Sequence, residues 1–459
     1  MEPTSFSAGA YPDVDAAMAS LTITDPNPFR AARAPGARAL YDALKAVPLS
    51  KAVTLPEAMP VATAPGAELV PIFEHLAKGG TAAGPAFPRG ATFRDGRLDM
   101  CKQVVGPEFI GDLAQAVRRG GATARIEHFL IGNNVVGDAG AADIADMVTD
   151  PDGPHLKTLY LAGNAFGPAG AKALSDALAQ DQSVRALWLK RNPLGPEGGR
   201  ALGEMLAQNT SIETLDLVNT GLMDAGVEAL FDGLARNRVL RTLYLDANGL
   251  GPRSAAAMAR YFKGIEARGE RGLTGIFLGI NRLGCDGAQV LTDALGTYGL
   301  LERLDLGANR IETGGLAATL AMARVMPGLK YLGLGLYKSA SDMGELPNWF
   351  GDAGAAMVAD HIAARGGPEA IEIKDTHIGP DGLAMLGDAL EQQSAVLELS
   401  AAQYGLKQPA LFHRIERFLE RNVQAKLGIG LAAYRNGPLR IAKHGPDIDD
   451  IASIYRNVM

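Results

Sequence analysis

Acidic and aromatic residues recur in this 459-residue chain at a spacing that would bring them to one face: Asp216, Asp246 and Asp305, and Tyr160, Trp188, Tyr244 and Phe277. Gathered carboxylates can act as general acids and bases, and with His128 they define one reading, an enzyme working through Asp216, Asp246 and His128. Acids in a row on a solvated strand face are more often contact or solubility residues. The chain contains no GxxxxGK[ST] loop, CxxC pair, HExxH helix or GxSxG elbow, and its seven histidines are scattered without ligand spacing. No catalytic residue, metal ligand or cofactor site is assigned on these grounds. Large aromatics beside charge point instead to non-covalent recognition, because Trp and Tyr carry much of the energy of protein interfaces.

The elements that must position these residues come from a repeat. Its clearest copy holds Leu156, Leu159, Leu161, Asn164, Phe166 and Gly167, and ten or eleven copies follow one another. The second leucine returns as Leu159, Leu187, Leu215 and Leu243, a period of 28, and then as Ile276, Leu304 and Leu332. The first half of each copy alternates like a strand, and the second, with Ala173, Leu174, Ala177 and Leu178, has helical period. Self-similarity at this period is the signature of leucine-rich repeats. Asn164, Asn192, Asn248, Asn281 and Asn309 occupy one rung, where an amide can satisfy the backbone of neighbouring turns. Gly195 and Gly284 suit the tight turn that precedes each helix.

The period, the asparagine rung and the full helix per unit resemble the ribonuclease-inhibitor-like leucine-rich repeats over residues 95–421. The resemblance implies an α/β solenoid, a horseshoe with parallel strands on its concave face and helices on its convex face. That family includes ribonuclease inhibitor, the activator of the Ran GTPase and the sensing arms of innate immune receptors. It therefore implies a protein partner and, as an alternative, GTPase activation, although the polyacidic tail usual in the Ran-activating branch is missing.

Strand side chains alternate, so the position after the second leucine must point away from the helices. It reads Asp99, Leu130, Tyr160, Trp188, Asp216, Tyr244, Phe277, Asp305, Gly333, Glu372 and Glu398. Aromatics flanked by Lys190, Arg191, Asp216, Asp246 and Arg303 resemble an interface core with its charged rim. The competing reading has the rings packing laterally across adjacent strands. The expected partner-binding set is Tyr160, Trp188, Lys190, Arg191, Asp216, Tyr244, Asp246, Phe277, Arg303 and Asp305, extended by Tyr337, Lys338 and Trp349. On this reading the rings face solvent, and their loss weakens binding without lowering the melting temperature.

Tyr337, Lys338 and Trp349 belong to an insertion. The spacing from Leu332 to Ile371 is 39, with 11 extra residues at 338–348. A loop there should rise over the concave face, where Gly333 and Gly335 leave room, and removing 339–346 should spare folding. A second departure, 33 residues between Leu243 and Ile276, places extra length at 261–272 in an extended helix.

The remaining chain divides into a loosely attached or disordered segment 1–36, a helical cap 37–94 with helices at 37–46 and 66–78, the repeats with their closing helix to 426, and a tail 427–459. In the closing helix Leu411, Ile415, Phe418 and Leu419 form one face, and Arg414, Arg417, Glu420 and Arg421 point outward. Ile448, Ile451, Ile454 and Tyr455 are spaced like a last short helix. A net charge of -7 without a basic stripe argues against nucleic acid as a partner. Two cysteines, Cys101 and Cys285, provide no disulfide framework. With no apolar run of membrane length, the reading is a soluble, cytoplasmic monomer without a membrane partner.

Overall fold

A computed structural model of the protein describes residues 11–21, 25–48, 56, 62–80, 87–121, 125–337, 339–365, 368–444 and 451–455. Lys338 and Ile448 lie outside the described residues. The chain forms two compact lobes. The first comprises Ala52–Asn248, Arg268–Leu273 and His444–Met459, the second Met1–Lys51, Gly249–Ala267 and Thr274–Lys443.

Strands of the first lobe are β1 (Ala91–Thr92), β2 (Arg97–Asp99), β3 (His128–Leu130), β4 (Thr158–Tyr160), β5 (Ala186–Trp188), β6 (Thr214–Asp216) and β7 (Thr242–Tyr244). β1 pairs antiparallel with β2, and β2 to β7 run parallel in chain order. A helix returns the chain after each parallel strand. The register aligns Leu98, Phe129, Leu159, Leu187, Leu215 and Leu243, all fully buried, so every repeat adds one apolar rung to a continuous core. The second lobe repeats this with β8 (Gly275–Phe277), β9 (Arg303–Asp305), β10 (Tyr331–Gly333), β11 (Ala370–Glu372) and β12 (Glu398–Ser400), all parallel. Each lobe is an α/β leucine-rich repeat solenoid.

The asparagine rung works as a hydrogen-bond ladder. Asn192 accepts from the backbone amides of Asn164 at 2.8 Å and Phe166 at 3.1 Å, and donates to the carbonyls of Leu161 at 3.0 Å and Leu189 at 2.8 Å. Asn309 and Asn348 continue the same bonding in the second lobe, and the 338–348 insertion ends on this rung. Gly195 and Gly284 have φ of 65° and 62°, the left-handed turn that glycine adopts without strain. Asn192→Ala removes four buried hydrogen bonds, so we expect a loss of about 1–3 kcal/mol or somewhat more in chemical denaturation. An unchanged denaturation midpoint would contradict the ladder.

Residues 11–21 and 25–36 are attached, not loose. Their helices Pro12–Ala19 and Pro28–Ala31, with helix Arg38–Leu44, form a core in the second lobe of Val14, Phe29, Leu40, Tyr41, Leu44 and Leu346. Helix Arg38–Leu44 consequently does not cap the first repeat, a place taken by helix Gly66–Ala77 against helix Gly106–Gly120. The segment has few large apolar residues, but the insertion supplies their mate in Leu346, which is fully buried.

The insertion is accordingly a platform and not a free loop. Glu345, fully buried, pairs with Arg282 at 2.6 Å and Arg310 at 3.0 Å. Those arginines donate to the carbonyls of Lys45, Val47 and Pro48. The hydroxyl of Tyr41 donates to the carbonyl of Pro347 at 3.0 Å.

At the other departure from the period, helix Pro252–Ala267 stops before Arg268 and Glu270. These two residues pair with each other at 2.7 Å in the first lobe, where Glu270 also meets Arg238 at 2.8 Å. In the closing helix, Pro409–Leu427, Arg421 does not simply point outward. It folds back to donate to the carbonyls of Leu390, Glu391 and Gln393, capping the preceding helix. No described helix is long and apolar enough to cross a membrane.

Candidate interaction surface

In the first lobe the register sets Asp99, Leu130, Tyr160, Trp188, Asp216 and Tyr244 side by side on the strand face opposite the helices. This is the row read from the sequence. Its exposure differs: Tyr160, Trp188 and Tyr244 are each 1% exposed and Asp216 is 2% exposed. The rings tile the sheet laterally. Tyr160 and Trp188 lie 6.4 Å apart, and Trp188 stacks on Tyr244 at 5.8 Å across the small Asp216 between them. Lys190 reaches back over Tyr160 at 5.6 Å and Trp188 at 5.5 Å, its ammonium 3.6 Å from the Asp216 carboxylate. Asp246 is also buried, whereas Arg191 is exposed and donates to Asn133 at 3.3 Å. The solvent-facing anchors expected from the sequence are therefore a packed layer with a basic rim.

In the first lobe His444 and residues 451–455 cover part of this face. The His444 ring lies 5.3 Å from Tyr244. Farther along, the Ser453 hydroxyl and the Ile454 amide donate to the Asp99 carboxylate at 3.0 and 2.9 Å, and Arg97 donates to the carbonyl of Ala452 at 2.6 Å. Ile451 is buried, while Ile454 is exposed and Tyr455 sits in a turn, so the expected amphipathic helix is not formed by the described residues. Burial, with the Asp99 carboxylate adding to it, pushes the Cys101 thiol beneath up to about 12, which keeps it protonated and inert.

In the second lobe Phe277, Asp305, Gly333 and Glu372 align across β8 to β11. The register of β12 sets Ser400, not Glu398, beside Glu372. Phe277 and Asp305 are fully buried. Asp305 accepts from the amide of Gly307 at 2.9 Å and from the hydroxyl of Tyr337, and Arg303 donates to the carbonyl of Ala442 at 3.3 Å. The room expected at Gly333 and Gly335 is filled. A Cβ at Gly333 would lie 2.8 Å from the Asp305 carboxylate and 2.9 Å from the Tyr331 hydroxyl, and one at Gly335 would lie 2.9 Å from the backbone of Lys374.

Trp349 does not join the row. It stacks on His377 of the next repeat at 3.5 Å and meets Tyr41 of the docked N-terminal segment edge-on at 4.9 Å. Burial, reinforced by Arg38 and Arg33, lowers His377 to about 3, so this imidazole is neutral at physiological pH.

Two of the carboxylates read as candidates for acid–base work, Asp216 and Asp305, are held by their own surroundings. Asp216 accepts from the amide of Val218 at 2.9 Å, and Asp305 is tied to Gly307 and Tyr337. His128 contacts the Thr158 hydroxyl at 3.0 Å. Sequence reasoning missed the contributions of Arg97, Lys443, His444 and Ser453.

A family model described as Leucine Rich repeat matches residues 154–175 and 208–231, the units around Leu159 and Leu215. No curated protein matches the chain in sequence. Among solved structures, leiomodin-1 actin-binding site 2 aligns at 12% identity and a TM-score of 0.17, covering 44% of this chain and 73% of that one. The tropomodulin C-terminal domain of Caenorhabditis elegans aligns at 10% identity and 0.18, covering 44% and 78%. Likeness at this level says nothing of a shared partner.

Proposed function

We propose that the protein is a non-catalytic binding scaffold of the ribonuclease-inhibitor-like type, and that its strand face, concave in that type, takes an extended segment of a protein partner. The repeat length of 28 and the helix in every repeat support the type. The observation that carries the binding reading is that this face already holds polypeptide. Asp99 binds a hydroxyl and a backbone amide of a segment 354 and 355 residues away in sequence, and Arg97 binds its carbonyl. Side chains that satisfy another segment's backbone are what strand-like recognition of a peptide uses. In the first lobe Tyr160, Trp188, Asp216, Tyr244 and Asp246 form the floor of the surface, with Lys190 and Arg191 at its rim; in the second lobe Phe277 and Asp305 form the floor, with Arg303 beside them.

Affinity capture with the intact protein, compared with Lys190→Ala and Arg191→Glu variants of unchanged thermal stability, tests the reading. Both changes should lower recovery of one discrete bound protein by about tenfold at low salt, as loss of electrostatic steering at a charged rim would. Equal recovery across all three proteins would refute it.

A further inference from the structure

The end of the second lobe, residues 437–443, follows helix Leu431–Asn436 without forming a strand or helix of its own. Arg303 donates to its Ala442 carbonyl at 3.3 Å. The amide of Ile441 donates to the hydroxyl of Tyr434 at 3.0 Å, Arg440 stands 3.8 Å from Glu398, and Leu439 is 56% exposed. Its last residue is placed differently. The Lys443 ammonium donates to the Tyr337 hydroxyl at 2.6 Å and lies 3.3 Å from the Asp305 carboxylate. It also sits 4.0 Å from the centre of the Tyr337 ring and 5.6 Å from that of Phe277.

A carboxylate, a phenolic oxygen and two aromatic faces around one position match a primary ammonium closely. The charge is neutralised, a hydrogen bond is accepted, and the ring quadrupoles favour a cation in a desolvated place. The three groups come from separate repeats, and Tyr337 also donates to Asp305. Phe277 ends β8, Asp305 ends β9, and Tyr337 follows β10. The second oxygen pair of contacts at Asp305 is internal: its Oδ1 accepts from Gly307, and the absence of a side chain at Gly333 admits the carboxylate to its position. A socket built on the repeats thus faces an occupant carried by a segment without regular secondary structure.

We propose that Asp305, Tyr337 and Phe277 form a recognition socket for the lysine side chain of an extended partner segment, and that Lys443 fills it in the unbound chain. The proposal rests on the peptide-binding reading above and adds to it the chemistry of one contact and a built-in competitor. A competitor that occupies the socket nearly always reduces the apparent affinity of any partner by the fraction of time the socket is open.

The test uses full-length protein and a fluorescein-labelled synthetic peptide with the sequence of residues 437–455, alongside the same peptide with alanine in place of its lysine. Binding by anisotropy is compared among the intact chain, Lys443→Ala, Lys443→Glu and Lys443→Ala combined with Asp305→Asn. Lys443→Glu sets a second carboxylate against Asp305 and drives the segment out. Asp305→Asn keeps size and the acceptor for Gly307 but removes the charge. Lys443→Ala and Lys443→Glu should bind the lysine peptide at least about tenfold more tightly than the intact chain, since each frees the socket. The alanine peptide and the Asp305→Asn combination should each lose that gain. Should Asp305→Asn fail to fold, Tyr337→Phe, which removes only the accepting hydroxyl, should lower the gain in the same sense. Tight binding that ignores the lysine and Asp305 would overturn the socket while leaving the peptide-binding face standing. Failure of both peptides to bind any of the proteins would overturn both.

Discussion

Glu345→Ala is expected to cost about 3–5 kcal/mol, because it strands two cations that only this carboxylate neutralises among their described charged neighbours. Glu345 has no exposed surface, Arg310 is 8% exposed, and Arg282 is 17% exposed in its side chain. The arginines also carry the N-terminal segment through the carbonyls of Lys45, Val47 and Pro48. Loss of the carboxylate should therefore loosen this segment before the repeats melt, and two readouts should separate. Limited proteolysis should cut within residues 11–48 at protease concentrations that leave the intact chain whole, and the fluorescence of Trp349, which contacts Tyr41, should shift at a lower denaturant concentration. A variant with unaltered proteolysis and stability would show that the arginines find other partners and that the network is dispensable.

The same geometry changes the expected outcome of removing residues 339–346. Loop-closure entropy alone would make the deletion inexpensive. Glu345 and Leu346 lie inside it, however, and removing them takes away the ion-pair centre and one wall of the N-terminal core. A deletion that retained full stability would return the insertion to the status of a surface loop.

The repeats were legible because many copies agree in phase. One leucine is weak evidence, but Leu159, Leu187, Leu215 and Leu243 at a constant spacing can share a face only if each copy is one turn of a solenoid. The asparagine rung was legible for the same reason, as was the amphipathic face of Leu69, Ile72, Phe73 and Leu76, all buried. What covers a face was not legible. Strand alternation tells which way Tyr160 or Trp188 points; whether solvent, a neighbouring ring or a distant segment lies there depends on contacts that local periodicity does not encode. Asp99 meets Ser453, and Leu346 joins Val14, Phe29 and Tyr41, across separations at which no short pattern in either segment signals the other. The N-terminal residues looked loose because their helices are short and their apolar residues few, a property that a single buried mate is enough to offset.

Trp188→Ala should accordingly destabilise the first lobe by about 3–5 kcal/mol, the range for a large aromatic removed from a packed core. A solvent-facing anchor would instead have left the melting temperature nearly unchanged. The ring is 1% exposed, stacks on Tyr244 and Tyr160 flanks it, so alanine leaves a cavity that neighbouring strands cannot close without breaking their ladder. One detail sharpens the test. The indole Nε1 is buried with no hydrogen-bond partner among the described residues, which itself costs stability. Trp188→Phe keeps most of the packing and removes that unsatisfied donor, so its loss should be only about 1 kcal/mol. Calorimetry on the two variants thus distinguishes the roles of the ring. A large loss for alanine with a small one for phenylalanine identifies a packed layer, and small losses for both would mean that the tryptophan faces solvent.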